Sequence, residues 1–419
     1  MPSVKHLINH WQIFENKRQP LFFLSFMMLF WGVFDGLMSY VAPLVITESG
    51  LSKILMGAVI GVSSISGAFF DFVICRIFKT PFFRRIFLVM FLFCFIYPLL
   101  LFKAHTLFLF IVAMAIWGIY FDLRNFGNFD FVSRFTAKKE SSSGFGMVMA
   151  FSVLGYLLAA IFAGFLIGDS VDGTPFFVAW IFLLISFFCF LALIFITRKN
   201  KKNIEPPEIG GNCVLYNRGI FSELKVWQKL NRPLFPVLLL SLFLNVISAF
   251  VWTIGPFYIE IFSSSFRHFS GLFVAAYLLP SLLVGWLVGD LTKKFGKKKS
   301  AFLALLLGSI ILTFINFLNQ PILIILDVFL ASTFFAISWP AISAAFTDYI
   351  SETRSYEKEI TGLQDFYTNI GYVIGPLCAG FLAEFIGNSG AFFILGLAGI
   401  LVATLLLIFT PEKITLRKV

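Results

Sequence analysis

Long apolar runs dominate this sequence, and the short polar segments between them carry most of the charge. A helix rises ~1.5 Å per residue, so an apolar run of ~20 residues can cross the ~30 Å hydrocarbon core of a bilayer. Inside that core the peptide groups must bond to one another, and an α-helix achieves this within a single segment. The runs therefore predict an all-α integral membrane protein.

The number of runs predicts twelve transmembrane helices. Charged residues make up 13% of the chain, against ~25% in a soluble domain, so the surface suits lipid better than water. The helices are expected at roughly 21–47, 54–77, 84–103, 106–133, 144–168, 175–197, 233–261, 269–291, 299–318, 321–350, 360–385 and 389–410.

The distribution of Lys and Arg supports this number of crossings. All but four of the 32 cations fall on the tails and on alternate loops, all on one side of the membrane. The exceptions are Lys53, Lys103 and Arg267 in the other loops and Arg124 inside a predicted helix. This is the positive-inside pattern, so we expect a multi-pass protein of the cell (inner or plasma) membrane with both termini in the cytoplasm. The net charge of +10 then reflects topology, and no nucleic-acid partner is expected.

The longest polar stretch lies at the middle of the chain, at 198–232. It contains Pro-Pro and Gly-Gly pairs, which break helices, and it is predicted to be a cytoplasmic linker. It separates an N-terminal six-helix bundle at 1–197 from a C-terminal six-helix bundle at 233–419. Its tail, 219–230, has the spacing of a short amphipathic surface helix.

Short repeats relate the two halves. They occur in the same order and at nearly the same offset, which chance matches in apolar sequence would not give. Two related six-helix halves are the architecture of one large class of transporters. The matches pair Gly155-Tyr156 with Gly371-Tyr372, Ala163-Gly164-Phe165-Leu166 with Ala379-Gly380-Phe381-Leu382, Asp130-Phe131-Val132-Ser133 with Asp348-Tyr349-Ile350-Ser351, and Pro43 with Pro256.

The loop after the eighth predicted helix carries a recognisable motif. From Gly289 to Lys298 it reads GDLTKKFGKK. This resembles the signature of the major facilitator superfamily, G-x-L-x-D-[RK]-x-G-[RK]-[RK], with Lys293 in place of the acid. The corresponding first-half segment, from Asp71 to Arg85, is a degenerate copy. The resemblance implies a secondary transporter whose two bundles alternately open a midplane site to either side.

The resemblance also implies a gate at the cytoplasmic helix ends. A tight turn there needs glycine, and loop cations can reach acids at neighbouring helix ends. The alternative is that these charges are solvated loop residues, since exposed ion pairs contribute only ~0–1 kcal/mol. The predicted gating residues are Asp71, Arg76, Asp130, Gly289, Asp290, Lys294, Gly296, Asp348 and Asp365.

The eleventh predicted helix contains a row of small residues, Gly371-x-x-x-Gly375-Pro376-x-x-x-Gly380. It resembles a glycine-rich motif that antiporters of the superfamily carry in their fifth helix. Here it stands in the other half, and the alternative interpretation is close helix packing through small side chains.

Charges inside the apolar runs are the strongest indication of a functional site. A mid-membrane Asp or Arg costs ~2.5–3.5 kcal/mol on insertion scales, so such residues usually face a cavity or a partner. Asp122 and Arg124 are two apart and point to nearly opposite sides of their helix, so we expect Arg124 to face inward. An Asp35–Arg124 pair would let Asp35 take a proton when it opens, which predicts proton coupling at these two residues. The alternative is a static pair that fixes helix packing.

In the superfamily, helices one, four, seven and ten line the central cavity. The resemblance therefore implies that embedded polar and aromatic residues of these helices form the substrate site, in which aromatic walls carry a few polar groups. The predicted substrate-binding residues are Trp31, Asp35, Tyr40, Trp117, Arg124, Asn128, Asn245, Trp252, Asp327 and Trp339.

The embedded acid and the aromatic walls favour proton-coupled efflux of small lipophilic or drug-like molecules. Uptake of a sugar or other small polar solute, by symport or uniport, is the alternative, and a non-transporting membrane receptor on the same fold is the third. The sequence has no P-loop and no HExxH motif, so an enzyme is not expected. We expect no cofactor and no metal site, and a monomer that binds a small molecule.

Overall fold

The structure is a computed structural model that describes residues 19–77, 83–136, 141–168, 170–199, 220–258, 270–284, 288–352 and 357–411. These residues are almost entirely helical. The helices are α1 Gln19–Glu48, α2 Lys53–Ile77, α3 Phe83–Lys103, α4 Leu107–Phe135, α5 Ser141–Leu166, α6 Thr174–Lys199, α7 Ile220–Ile254, α8 Gly271–Val284, α9 Val288–Phe295, α10 Lys297–Leu312, α11 Pro321–Glu352 and α12 Glu357–Phe409, with short 3₁₀ segments at Gly255–Phe257 and Thr313–Phe317.

Helix α12 makes two crossings because it reverses at Gly387. This glycine has φ 77° and ψ 169°, a conformation that side-chain-bearing residues avoid. The arms on either side run in opposite directions: Ser389 lies beside Tyr258 at one end of the bundle, and Lys298 donates to the Pro411 carbonyl at the other. In the described residues ten helices are long and apolar enough to span a membrane, and α8 is a shorter apolar helix. The predicted fold of twelve transmembrane helices in two bundles is confirmed.

Helix α7 begins earlier than the sequence suggested. It starts at Ile220 and continues without interruption to Ile254, so the segment 219–230 is part of this helix from Ile220 onward and not a separate surface helix. The pair Pro233 and Pro236 lies inside the helix and does not end it. The part of the expected linker at 200–219 lies outside the described residues.

Small residues set the helix spacing inside the N-terminal bundle. Gly155 of α5 packs so closely against α1 that an added methyl group would meet the Leu29 carbonyl and lie 3.0 Å from Gly32 Cα. Lipid is as apolar as a leucine side chain, so helices in a membrane associate through such close packing rather than through the hydrophobic effect. The contact fixes α5 against α1 at the level of the embedded carboxylate described below.

The two bundles meet on the side of the membrane opposite the linker. There, Gly57 of α2 lies against the Pro376 carbonyl of α12, and Gly380 of α12 lies against the Lys53 carbonyl. A second contact joins Gly271 of α8 to the backbone of α5. The predicted close packing of the glycine row on the eleventh helix is confirmed, because Gly380 has no space for a side chain here.

We predict that Gly155→Ala destabilises the protein while Gly146→Ala in the same helix does not. The methyl group at Gly155 must displace the α1 backbone, and overpacking of this kind costs ~1–3 kcal/mol, whereas nothing lies within 4 Å of a methyl group at Gly146. Thermal unfolding of the two detergent-purified variants measures the difference. Equal melting temperatures would show that α1 and α5 are not held at this distance.

Candidate functional site

A buried carboxylate lies at the centre of the N-terminal bundle. Asp35 of α1 is 1% exposed. Its Oδ1 accepts hydrogen bonds from the Tyr120 hydroxyl at 2.7 Å and the Trp117 Nε1 at 3.1 Å, and its Oδ2 accepts one from the Tyr156 hydroxyl at 2.6 Å. Three donors from two other helices therefore converge on one carboxyl group.

The local sequence explains how the donors reach Asp35. Trp117 and Tyr120 are three apart on α4 and so share one face of that helix. Tyr156 directly follows Gly155, whose close contact with α1 brings the tyrosine within hydrogen-bond distance. The site therefore depends on the packing of α1, α4 and α5 rather than on a loop.

All three hydrogen-bond donors to Asp35 are neutral, and no cationic side chain of the described residues donates to it. Tyrosine hydroxyls can donate or accept, so Tyr120 and Tyr156 can turn to accept when the carboxyl group holds a proton. The indole N–H of Trp117 can only donate. The arrangement can thus accommodate both the charged and the protonated carboxyl group without moving a helix.

Arg124 lies over two neighbouring aromatic rings. Its guanidinium carbon is 4.7 Å from the centre of the Trp31 ring and 4.5 Å from that of Phe121, both within the range of cation–π attraction. Its Nη2 donates to Asn125 Oδ1 at 2.6 Å. Within the described part of the chain no ion pair joins it to Asp35, so the expected Asp35–Arg124 pair is not formed in this conformation.

Arg124 faces the C-terminal bundle and Asp122 faces α2, as their spacing predicts. The charge of Arg124 acts on Tyr372 of α12, which belongs to the other half. The Asp122 carboxylate packs against Gly67 of α2 and lies close enough to Asp365 of α12 for their charges to interact. These two side chains of α4, two residues apart, therefore point to different neighbours, although their charges are still close enough to interact.

One aromatic contact connects the buried carboxylate to the other half. The ring of Tyr156, whose hydroxyl donates to Asp35, meets the ring of Trp252 on α7 edge-on, with the ring centres 5.7 Å apart. Tyr156 also meets Trp31 edge-on at 6.4 Å. Five of the predicted substrate-binding residues therefore lie in one group with Tyr156: Trp31, Asp35, Trp117, Arg124 and Trp252.

The other predicted substrate-binding residues lie elsewhere in the helix packing. Asn128 donates to the Met28 sulfur at 3.4 Å, and Asn245 joins α7 to α12 through Thr368 at 3.3 Å. Asp327 is 7% exposed, and its Oδ2 has no hydrogen-bond partner among the described residues. Tyr40 is fully buried and Trp339 is half-buried, on α1 and α11.

Two of the predicted gating residues make charged contacts at the linker-side helix ends. Asp130 accepts a hydrogen bond from the first backbone N–H of α3, that of Phe83, at 2.8 Å and pairs with Arg134 at 2.8 Å. Asp348 pairs with Lys297, a motif residue, at 2.7 Å.

The remaining gating candidates lie in three other parts of the fold. Gly296 adopts φ 82°, so glycine is needed at the turn between α9 and α10. Lys294 and Asp365 are exposed. Four others lie in α2 and α9, and their side chains are outside the described residues: Asp71, Arg76, Gly289 and Asp290.

Two residues of the site were missed in the sequence. Tyr120 and Tyr156 hold the carboxylate, but neither carries a charge and both lie in apolar runs rich in aromatic residues. Tyr120 is three residues from Trp117 and so lies on the same face of α4, which was an available signal. The repeat that pairs Tyr156 with Tyr372 was a second one.

The sequence of this chain is similar to those of known proteins. The sequence model of the Major Facilitator Superfamily matches residues 84–356 and 267–418. Multidrug resistance protein 2 of Bacillus subtilis (strain 168) is 24% identical over 260 residues, which are 61% of this chain and 61% of that protein. The match thus spans less than two thirds of that relative's length.

Solved structures share the fold at low sequence identity. A bacterial homologue of the human lysosomal transporter Spinster, in an inward-facing and unoccupied conformation, superposes with a TM-score of 0.68 at 14% identity, covering 94% of this chain and 95% of that one. The nucleoside transporter NupG superposes with a TM-score of 0.69 at 12% identity, covering 95% and 100%. With the family model matched along most of its length and this fold, the chain belongs to the Major Facilitator Superfamily of membrane transporters.

Proposed function

We propose that this transporter exports small lipophilic or drug-like molecules in exchange for protons, with Asp35 as the proton-binding group. It would work as a monomer in the cell membrane with both termini in the cytoplasm. The observation that carries the proposal is the Asp35 carboxylate itself, buried in the bundle and hydrogen-bonded only to neutral side chains.

An unpaired buried carboxylate is suited to exchanging a proton. Burial of an ionised group without a direct ion pair is costly, and the three hydrogen bonds together with the nearby charge of Arg124 offset part of that cost. A strong ion pair would instead hold the group in its charged form. Because Arg124 is engaged with Asn125 and two rings, Asp35 is free to change its charge during a transport cycle.

The hydrogen bond from Tyr156 links proton binding at Asp35 to the contact between the two bundles. When Asp35 takes a proton, Tyr156 must turn its hydroxyl or give up the bond. Its ring lies against Trp252 of the opposite bundle, so this change acts on the surface along which the bundles move. The proton and the conformational change are thereby linked through one residue.

The internal repeat supports an assignment to the N-terminal bundle alone. The offset that relates Pro43 to Pro256 relates Asp35 to Ser248. In the C-terminal bundle Tyr372 donates to Ser248 at 3.2 Å, which repeats the Tyr156–Asp35 contact with a group that does not ionise. The two halves share the hydrogen bond, and only one of them has the acid.

Aromatic surfaces around Arg124 support a lipophilic substrate. Phe121, which contacts Arg124, and Trp252, which contacts Tyr156, are only partly buried, whereas Trp31 is fully buried. Apolar walls with few polar groups are typical of sites for drug-like molecules. The relative named a multidrug resistance protein agrees with this substrate class.

Uptake of a small polar solute is the second candidate. It is favoured by the polar groups near the same surface, where Arg124 and Asn125 form a hydrogen-bonding pair and Asp122 lies close by. These groups could bind the hydroxyl or amide groups of a solute. Substrate screening separates the two candidates.

We predict that Asp35→Asn abolishes coupling. Driven by a pH gradient across proteoliposomes, transport should fall at least tenfold, while substrate exchange without a gradient continues, because the site persists and the exchangeable proton is lost. Asp172→Asn, which changes an exposed acid just before α6, serves as the control and should leave gradient-driven transport unchanged. Gradient-driven transport that remains fully pH-dependent in Asp35→Asn would remove Asp35 as the coupling site.

We predict that Tyr156→Phe weakens coupling while Tyr97→Phe does not. Both changes delete one hydroxyl from the same aromatic cluster, but the Tyr97 hydroxyl has no hydrogen-bond partner among the described residues, whereas that of Tyr156 donates to Asp35. The ratio of gradient-driven transport to exchange should fall about tenfold for Tyr156→Phe, the effect of losing one hydrogen bond to a charged group. Equal ratios in the two variants would contradict the route through Tyr156.

We predict that lipophilic drugs, rather than sugars or nucleosides, raise the melting temperature of the purified protein. Arg124→Ala should abolish that rise, and Arg124→Lys should reduce it, because lysine keeps the charge but not the planar group that lies over the two rings. A rise with polar solutes alone would favour the second candidate. Unchanged shifts in Arg124→Ala would take Arg124 out of the substrate site.

A further inference from the structure

We propose that Glu384 and Lys53 form a releasable latch that holds the two bundles together on the side opposite the linker. We call this group, with Asn388 and Phe257, the outer latch. It lies where the first turn of α2 meets the end of the first arm of α12. None of its four residues was among the predicted gating residues.

Glu384 caps the N-terminus of α2, a helix of the other bundle. The first backbone N–H groups of a helix have no partner within it, and the positive end of the helix dipole attracts an acid there. The Glu384 Oε2 accepts from the N–H of Lys53 at 2.6 Å and of Ile54 at 3.4 Å. The next N–H, of Leu55, is bound within its own helix end by Ser52 Oγ at 3.3 Å. Two of the first three N–H groups are thus satisfied from across the interface.

The side chain of Lys53 makes the reciprocal contacts. Its Nζ donates to Asn388 Oδ1 at 3.2 Å and lies 4.9 Å from the centre of the Phe257 ring. Asn388 belongs to α12 and Phe257 to the 3₁₀ segment after α7, so both are in the C-terminal bundle. Each bundle therefore contributes one charged residue, Lys53 or Glu384, that binds groups of the other bundle.

The glycine contacts beneath the latch make it depend on bundle closure. Gly57 packs against the Pro376 carbonyl, and Gly380 packs against the carbonyl of Lys53, one turn or less from the polar contacts. Separation of α2 from α12 at this end would therefore end the glycine contacts and pull the N–H groups of Lys53 and Ile54 away from Glu384. The latch therefore reports and stabilises the closed state of this side.

The latch can also open without a large barrier. Glu384 is exposed and Lys53 is half-buried, so water can replace the bonds to both when the bundles part. Charged contacts at such a position contribute little enough to be reversible and enough to shift a two-state equilibrium. We assign to Glu384 and Lys53 a positioning role: they set the fraction of time for which this side is closed.

A matched contact inside one bundle provides the control. Glu48 at the end of α1 accepts the backbone N–H of Val171 at 3.1 Å, with both residues in the N-terminal bundle. Removing this acid deletes a similar exposed hydrogen bond between a carboxylate and a backbone N–H, but this bond lies within one bundle. An effect specific to the latch should follow Glu384 and not Glu48.

The test compares Glu384→Ala, Glu384→Gln and Lys53→Met with Glu48→Ala, in the full-length protein and without substrate. Spin labels at His105→Cys and Asn319→Cys, exposed on the same side of the two bundles, report the distance between them in a background free of native cysteines. Hydrogen exchange measures the amides of Lys53, Ile54 and Val171.

The latch predicts that Glu384→Ala populates longer distances between the labels and that exchange at Lys53 and Ile54 becomes about tenfold faster, as expected for loss of a hydrogen bond to a charged group. Glu384→Gln and Lys53→Met should shift the distances in the same direction by less. Glu48→Ala should accelerate exchange at Val171 and leave the distances unchanged.

Unchanged distances in the Glu384 and Lys53 variants would overturn the latch, and so would an equal lengthening in Glu48→Ala. If Glu384→Ala does not fold, the two milder variants decide the question. The measurement uses neither a proton gradient nor a substrate, so its outcome is independent of the proposed proton-coupled export.

Discussion

A polypeptide in hydrocarbon has to satisfy its own peptide groups and must then find a way to hold its helices together without help from water. Here the solution is close backbone contact at glycine. Gly155 against α1 fixes the spacing of the N-terminal bundle, and Gly57 and Gly380 fix the contact between bundles. The hydrogen bonds of the functional site are consequences of this spacing, since Tyr156 reaches Asp35 because its neighbour allows α5 to approach.

The treatment of charge inside the bundle follows from the same constraint. A carboxylate and a guanidinium lie close enough for their charges to interact, yet each makes its direct contacts with neutral neighbours: Asp35 with two tyrosines and a tryptophan, Arg124 with an asparagine and two rings. A direct pair would be tighter, but breaking a buried pair later in a cycle is strongly unfavourable. Separate stabilisation keeps the two groups out of a direct ion pair in this conformation.

Most of the architecture could be predicted from the sequence, because apolar length and the side preference of Lys and Arg act locally along the chain. The start of α7 could not, since Ile220 to Arg232 lacks any residue that forces a helix to begin or end. The contacts of the first arm of α12 with α2 were anticipated only as close packing, because its glycines do not say which helix they meet.

The embedded charges could be recognised in the sequence, whereas the side chains that contact them could not. Asp35 and Arg124 stand out in an apolar sequence, and Trp117 and Trp252 do lie near them. Opposite charges suggested a pair, but pairing depends on rotamers and on distances between helices that spacing along one helix does not give. Asn245 and Asn128 were equally conspicuous in the sequence. They instead hydrogen-bond to neighbouring helices, since an amide can bond to another helix as readily as to a substrate.

The presence of a fixed cation, Arg124, near Asp35 has an electrical consequence for a carrier that binds protons at Asp35. With the carboxyl group ionised, the two groups together carry no net charge; with it protonated, they carry one positive charge. A reorientation of the bundles in the protonated state therefore moves charge through the membrane potential, which acts with ~2.3 kcal/mol per elementary charge per 100 mV. The voltage across the membrane, and not the proton concentration alone, would then help to set the direction in which the empty and loaded carriers turn.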